Sequence, residues 1–306
     1  ISDLEEELSY HNGIEGLRGL KTKVAKRSAL QEVQYERARH DILYFAENFF
    51  YVNSIDKGWN LIKLYPYQKK MLVRLFKYRK NVFNTSRQIG KTTIASIALL
   101  HFLIYNDHKT IGIAANARPG AIEVLAKVKE SYVELPLWMQ HAVLRWNDSG
   151  IVLANKSRVI TSATTPDAFR GRSLAWLYVD ETAFVGNDLW RAFSKSVLPT
   201  ISSSPKTKIT YTSTPNGYNH FYRIVQDAKN KKSNFKHTQV MWYDVPGRNE
   251  KWKVETMDDS DAIDKEKAFL QEYCCSFDSS GSSYIDNEII EKLLYKQAIE
   301  KSTGGL

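Results

Sequence analysis

Between residues 81 and 229, short runs of β-branched and aromatic residues alternate with helix-length segments. That alternation limits the possible folds more than any other feature. "NVFN" (Asn81 to Asn84), "TIGIAAN" (Thr110 to Asn116), "WLYV" (Trp176 to Val179) and "KITYTSTP" (from Lys208) read as strands. "GIVLANKSRVITSA" reads as a hairpin turning at Asn155 and Lys156. Helical patterns separate them: Lys91 to Tyr105, Pro119 to about Leu135, Asp188 to Val197, and Tyr218 to Lys229. Strands alternating with helices predict a mostly parallel sheet covered on both faces. Ligands in such sheets sit at the carboxyl ends of the strands.

The flanks read differently. Residues 1–50 look helical, with Ile42, Leu43, Phe45, Ala46, Phe49 and Phe50 on a buried face. Asn53 to Trp59 reads as a loop, and Pro66 starts a helix. After residue 230, "KNKKSN", "DVPGRNE" and "TMDDSD" are polar loops around one helix, about Ala262 to Cys274. "DSSGSS" has a flexible linker composition, and 284–306 look like a short helix and a tail.

No run approaches the ~20 apolar residues needed to span a bilayer. The two cysteines, Cys274 and Cys275, are adjacent and cannot staple distant segments, which suggests a reducing compartment. The net charge of +9 favours a polyanionic partner. Basic residues gather at Lys63, Lys69, Lys70, Arg74, Lys77, Arg79 and Lys80, and at Arg18, Lys21, Lys23, Lys26 and Arg27.

"NTSRQIGKTT" (Asn84 to Thr93) lies where a strand becomes a helix. It ends like a phosphate-binding loop, although the pattern's first glycine is replaced by Thr85. In such a loop, backbone N–H groups and a helix N-terminus face the phosphates. Lys91 would neutralise the β and γ phosphates, the Thr92 hydroxyl would ligate Mg²⁺, and Gly90 would allow close backbone approach. Further on, "LAWLYVDE" delivers Asp180 and Glu181 to a strand end beside the loop. Asp180 would hold Mg²⁺, and Glu181 would orient and deprotonate the attacking water. The extra strands between loop and acids place the chain among P-loop NTPases with an inserted central strand (ASCE/RecA-like). Gln68 could select adenine through its amide. Thr212, Ser213 and Thr214 could sense the γ phosphate. Arg87 could stabilise the transition state from within the chain; Arg170, or less favourably Arg172, could do so from a neighbour.

"SRQIGKTT", "LYVDETAF" and "TSTPNGYNHFY", in that order, resemble the large terminase subunit of tailed bacteriophages, T-even type. Members of that type carry the same departure at the start of the loop, so Thr85 is expected to be a family variant. The resemblance covers about Leu43 to Tyr284. It implies a Mg²⁺-dependent ATPase that drives double-stranded DNA into a procapsid, working as a ring, commonly a pentamer, on the portal protein. A small terminase subunit is a further implied partner, the host cytoplasm the implied location, and no membrane is involved. By motif, Tyr67 and Gln68 would face adenine. Ser86, Arg87, Gln88, Gly90, Lys91, Thr92 and Thr93 would hold the phosphates, and Thr92 and Asp180 the Mg²⁺. Glu181 would be the catalytic glutamate, Thr212 to Thr214 the coupling motif, Arg87 the arginine acting in cis, and Arg170 the one acting in trans.

The implied organisation is a P-loop core over 59–235 and a small lid subdomain from 1–58 and 236–280. A tail follows over 281–306, without the nuclease domain that full-length members carry. Asp286 and Glu288 fall in a helical pattern rather than at strand ends, so no DNA cleavage is expected. Two other readings use the same residues. A superfamily 2 helicase shares these motifs but needs a second lobe, for which too few residues follow Thr214. A non-catalytic ATP- or DNA-binding scaffold would not need Lys91, Thr92, Asp180 and Glu181 together.

Overall fold

The computed structural model describes residues 17–19, 26–54, 58–202 and 204–278. Lys21, Lys23, Asp286, Glu288 and the 281–306 tail lie outside the described residues.

In the N-terminal part come α1 (Ala29–His40), α2 (Ile42–Phe49), β1 (Tyr51–Ser54), β2 (Gly58–Leu61) and α3 (Pro66–Lys77). The alternating region follows: β3 (Lys80–Thr85), α4 (Lys91–Tyr105), β4 (Thr110–Ala115), α5 (Arg118–Val133), β5 (Val143–Asn147), β6 (Gly150–Leu153), β7 (Arg158–Ala163) and β8 (Trp176–Val179). It continues with α6 (Asn187–Ser202), β9 (Lys208–Ser213), α7 (His220–Lys229) and β10 (Lys236–Val240). Two helices, α8 (Glu250–Asp258) and α9 (Lys265–Tyr273), close the described chain.

Eight strands form one sheet in the order β10-β3-β9-β8-β4-β7-β6-β5. The first six are parallel, and β6 and β5 are antiparallel additions at one edge. Side-chain alternation along each parallel strand feeds two cores. Phe83, Ile111, Ile113, Trp176 and Tyr178 join the core on the α4 and α5 face. Val82, Ala114, Leu177, Val179, Ile209 and Tyr211 join the one under α6 and α7. Burial on both faces is why apolar residues dominate the middle of these strands, with buried polar residues such as Asn84, Thr85, Thr212 and Ser213 gathered towards the carboxyl ends of β3 and β9. Helix α4 is itself apolar nearly all round, which requires cover on its outer side as well. That cover comes from α2 and α3, and His101 Nε2 on α4 lies 3.0 Å from the Ala38 carbonyl of α1.

Several expectations need correction. Of the loop expected over Asn53 to Trp59, Asn53, Ser54, Gly58 and Trp59 lie in the antiparallel pair β1–β2, and 55–57 lie outside the described residues. Strand β5 lies outside the strands that the sequence pattern indicates. So does β10, whose residues the sequence reading assigns to the lid; it pairs in parallel with β3, inside the main sheet. Its sequence, "KHTQV", is polar except on one face, the signature of a short edge strand and a weak one in so few residues. Arg74 of α3 fixes it by donating to the His237 carbonyl and, at 2.7 Å, to the Thr238 hydroxyl. Helices α1 and α2 pack into the same core as α4 rather than into a separate body. The loops after residue 240 contain α8, which stacks on α9 through Trp252, Phe269 and Tyr273.

The strand order also revises one local expectation. β3 and β8 are not neighbours, because β9 lies between them. That is the inserted central strand, and it carries Thr212 and Ser213 between the loop and the acid pair.

Candidate active site at the carboxyl edge of the sheet

Thr85 stands where the loop pattern has glycine. It is the last residue of β3, fully buried and in register with Val240. Extended backbone suits a β-branched residue, so no glycine is needed there. The turn comes later. Gln88 (φ 55°) and Gly90 (φ 77°) are left-handed, and a Cβ on residue 90 would lie 2.9 Å from Gln68 Nε2. Gly90 is therefore favoured by conformation, and a side chain there would have to displace the Gln68 amide. Lys91 then opens α4, with Thr92 and Thr93 in its first turn.

The loop backbone is held from both sides. Ser86 N–H donates to the Val240 carbonyl and Arg87 N–H to that of Glu272, both at 2.8 Å. The Ile89 carbonyl accepts from Tyr67 OH (3.0 Å) and Gln68 Nε2 (3.1 Å). Gln68 Oε1 takes the Tyr65 N–H at 3.1 Å, capping α3. The amide expected to read adenine is thus engaged with the protein itself. Burial, partly offset by Arg248, pushes the Tyr67 phenol up to about 12, so it is a neutral donor at ordinary pH.

Across the loop, Lys91, Thr92, Asp180, Glu181 and Thr212 converge. Lys91 Nζ is 3.5 Å from Asp180 Oδ1 and in direct contact with Glu181 Oε1. Burial alone would lower the lysine's pKa, but the two carboxylates overcome it and raise it, so Lys91 stays charged. Asp180 divides its oxygens. Oδ1 accepts from Thr212 Oγ1 (2.7 Å) and from the Glu181 N–H (3.0 Å). Oδ2 lies 3.5 Å from Thr92 Oγ1. With the Thr212 hydroxyl hydrogen given to Asp180, Tyr178 OH donates to Thr212 Oγ1 at 3.0 Å, completing a buried chain behind the carboxylate. Ser213 Oγ accepts from the Ala183 N–H at 3.1 Å, tying β9 to the segment after the acid pair. Thr214 is buried beside them. Glu181 itself is left-handed (φ 50°, ψ 40°). Such backbone in a non-glycine residue costs about 1 kcal/mol and gathers at functional sites.

These donors fit a hard divalent cation. Thr92 Oγ1 and Asp180 Oδ2 are both oxygens, and a hydroxyl with one carboxylate suits Mg²⁺, which keeps waters and shares phosphate oxygens. Among the described residues no group of three or more His, Cys, Asp or Glu could form a dedicated metal cage.

The two arginines expected to act as fingers are occupied elsewhere. Arg87 Nε pairs with Glu272 Oε2 of α9 at 2.8 Å. Arg170 is exposed and pairs with Asp167 at 2.9 Å, three residues away. Arg248 went unnoticed in the sequence because it falls in a polar loop. It donates to the carbonyls of Arg87 (3.1 Å) and Gln88 (3.2 Å) and lies over the Trp252 ring. Glu272 went unnoticed too, as one acid in an ordinary amphipathic helix.

The fold has solved counterparts. The large terminase of bacteriophage HK97 superposes with a TM-score of 0.56 and 16% identity, over 86% of this chain and 53% of that one. The ATPase domain of the Thermus phage P74-26 large terminase gives 0.52 and 22%, over 70% and 94%. The large terminase of the thermophilic bacteriophage D6E in complex with ADP gives 0.54 and 14%, over 70% and 54%. The chain thus spans about half the length of the HK97 and D6E proteins. Its residues 82–292 match the family model described as terminase large subunit, T4likevirus-type, N-terminal, and the chain belongs to that family.

Proposed function

We propose that this chain is the ATP-hydrolysing motor part of a large terminase, acting on double-stranded DNA during its packaging into a procapsid. The observation that carries this reading is the convergence of Lys91, Thr92, Asp180 and Glu181 at one sheet edge, with Asp180 bonded to Thr212 of the inserted strand. Lys91 and the first turn of α4, with Ser86 to Thr93 around them, would hold the phosphates. Thr92 and Asp180 would hold Mg²⁺, which would neutralise charge developing on the phosphates. Glu181 would align and deprotonate water. Tyr67 and Gln68 would meet adenine only by giving up bonds to the Ile89 carbonyl.

Thr212 would couple chemistry to motion, a reading supported by its bond to Asp180 and its place on β9, beside β3. Either Arg87 released from Glu272, or Arg170 reaching into a neighbouring copy, would complete the site. The portal protein, the small terminase subunit, a pentameric ring and the host cytoplasm belong to this proposal through the family. No helix among the described residues is long and apolar enough to cross a membrane.

The test is specific ATPase activity against protein concentration for wild type, Arg87→Ala and Arg170→Ala. Activity rising with concentration, with the rise lost in Arg170→Ala, is expected for a finger in trans. Activity independent of concentration and lost in Arg87→Ala is expected for one in cis. No turnover at any concentration overturns the proposal.

A further inference from the structure

The sheet's antiparallel edge carries a second polar surface, which shares no lining residue with the Lys91 site. On β5, β6 and β7 the register places Arg145 opposite Val152, and Val152 opposite Arg158. These three residues form one cross-strand row, so the two guanidinium groups project from the same face. Their neighbours Ile151, Val159 and Leu153 point the other way, into the core under α5. Helices α6 and α7 cover the first face only over the parallel strands, since their core reaches β7 at Ile160 alone. What remains is a groove with Val152 and Ile160 on its floor. Arg145 and Arg158 line it from the strands, and Arg172 from the loop before β8.

All three arginines are exposed, and among the described residues none has a carboxylate partner. That is unlike Arg87, Arg170 and Arg191, each of which pairs with an acid. Asp167 also lines the groove but is paired with Arg170, so three guanidinium groups stand against one carboxylate that is already engaged, an excess of positive charge that favours an anionic ligand. Ser149, Ser162 and Thr165 add hydroxyls to the lining. Hydroxyls together with guanidinium groups are the donors that phosphate oxygens accept from, without reading base sequence. The net charge of +9 points to the same class of partner.

We infer that this groove binds the phosphodiester backbone of duplex DNA through Arg145, Arg158 and Arg172. The inference rests on the DNA-motor reading and assigns it a surface, at the opposite end of the sheet from β10 and one strand beyond β4. Grip there would be sequence-independent and salt-sensitive.

The experiment is fluorescence anisotropy of a labelled 30-base-pair duplex, titrated with protein at several salt concentrations. The variants are Arg145→Ala/Arg158→Ala/Arg172→Ala and the same three sites changed to Lys. Each lost phosphate contact should remove about 0.9 from the slope of log K against log salt. The triple alanine variant should therefore lose roughly 2 to 3 from that slope, and the lysine variant should keep most of it. Thermal melting of both variants separates loss of contact from loss of fold. Wild type that binds, with an alanine variant of equal affinity and slope, overturns the groove and leaves the DNA-motor reading standing. Wild type that does not bind duplex at low salt overturns both. Displacement of bound duplex by polyglutamate as effectively as by unlabelled duplex of equal charge would assign the groove to an acidic protein segment and overturn the DNA assignment.

Discussion

Replacing Glu181 with Gln should make the protein bind nucleotide more tightly while it stops hydrolysing it. Lys91 is in contact with Glu181 Oε1 and 3.5 Å from Asp180. Any phosphate chain that takes Lys91 must first break its pair with Glu181. The lysine side chain is 14% exposed and the glutamate 41%. An exposed pair contributes ~0.2–1 kcal/mol, and breaking a buried one costs ~3–5 kcal/mol. This half-exposed pair, discounted for solvent screening, falls at about 1–2 kcal/mol. Glutamine keeps the shape and removes the charge. The Kd for Mg-ADP should therefore fall about 5- to 30-fold, at 1.4 kcal/mol per decade. The gain should shrink in high salt, because the pair is partly screened. ATP turnover should drop about 10²- to 10⁴-fold with the proposed general base removed. Isothermal titration with ADP measures the first effect free of hydrolysis. Asp180→Asn, which weakens the metal side, should shift affinity the other way. Glu181→Gln binding ADP no tighter than wild type would refute the competition argument.

Other outcomes follow from the same geometry. Thr212→Val removes the 2.7 Å bond to Asp180; a bond to a charged group contributes ~1.5–3 kcal/mol, so turnover should fall roughly 10- to 100-fold with the fold intact by circular dichroism. Arg248→Ala frees the carbonyls of Arg87 and Gln88 and should lower stability by about 1–2 kcal/mol in urea melts. Arg248→Lys should recover little of that, because one ammonium cannot reproduce the fork. Gly90→Ala should weaken ADP binding, since residue 90 is left-handed and its Cβ would meet Gln68. Burial, with smaller repulsion from Lys208 and His40, holds His101 at about 4 against its ordinary 6.5. The unfolded chain then binds the extra proton first, so stability is full above pH 6.5 and lost as pH falls towards 4. The loss is up to about 3 kcal/mol at 1.36 kcal/mol per pH unit. His101→Gln should flatten that slope in pH-dependent denaturant melts, leaving the parts due to His141, His220 and His237, which shift the same way.

The parallel core was legible because its strands are buried on both faces and its helices are long. Lys91–Tyr105 and the strand from Lys208 stand where periodicity and turn residues put them. The loop lysine, Asp180 and Glu181 were legible because strand ends fix where side chains go, whatever the intervening sequence does. What escaped was short or relational. β10 and the β1–β2 pair are four or five residues with mixed polarity, stabilised by neighbours distant in sequence. Arg248 and Glu272 matter through what they touch, and a polar loop and an amphipathic helix look the same whether or not they face a phosphate loop. That Gln68 and Tyr67 hold the Ile89 carbonyl is likewise a matter of packing across 21 and 22 residues. The position of β9 between β3 and β8 could not be read from strand sequence in order, since order along the chain does not give order across a sheet.

Under the proposed function, Glu181 drives hydrolysis at a Lys91–Thr92–Asp180 site. Phosphate release from ATP by wild type and Glu181→Ala, each with Mg²⁺ and with the metal chelated, tests it most directly. Turnover in wild type with Mg²⁺, lost on chelation and lost in Glu181→Ala, is the expected result. Equal turnover in wild type and Glu181→Ala would contradict the account.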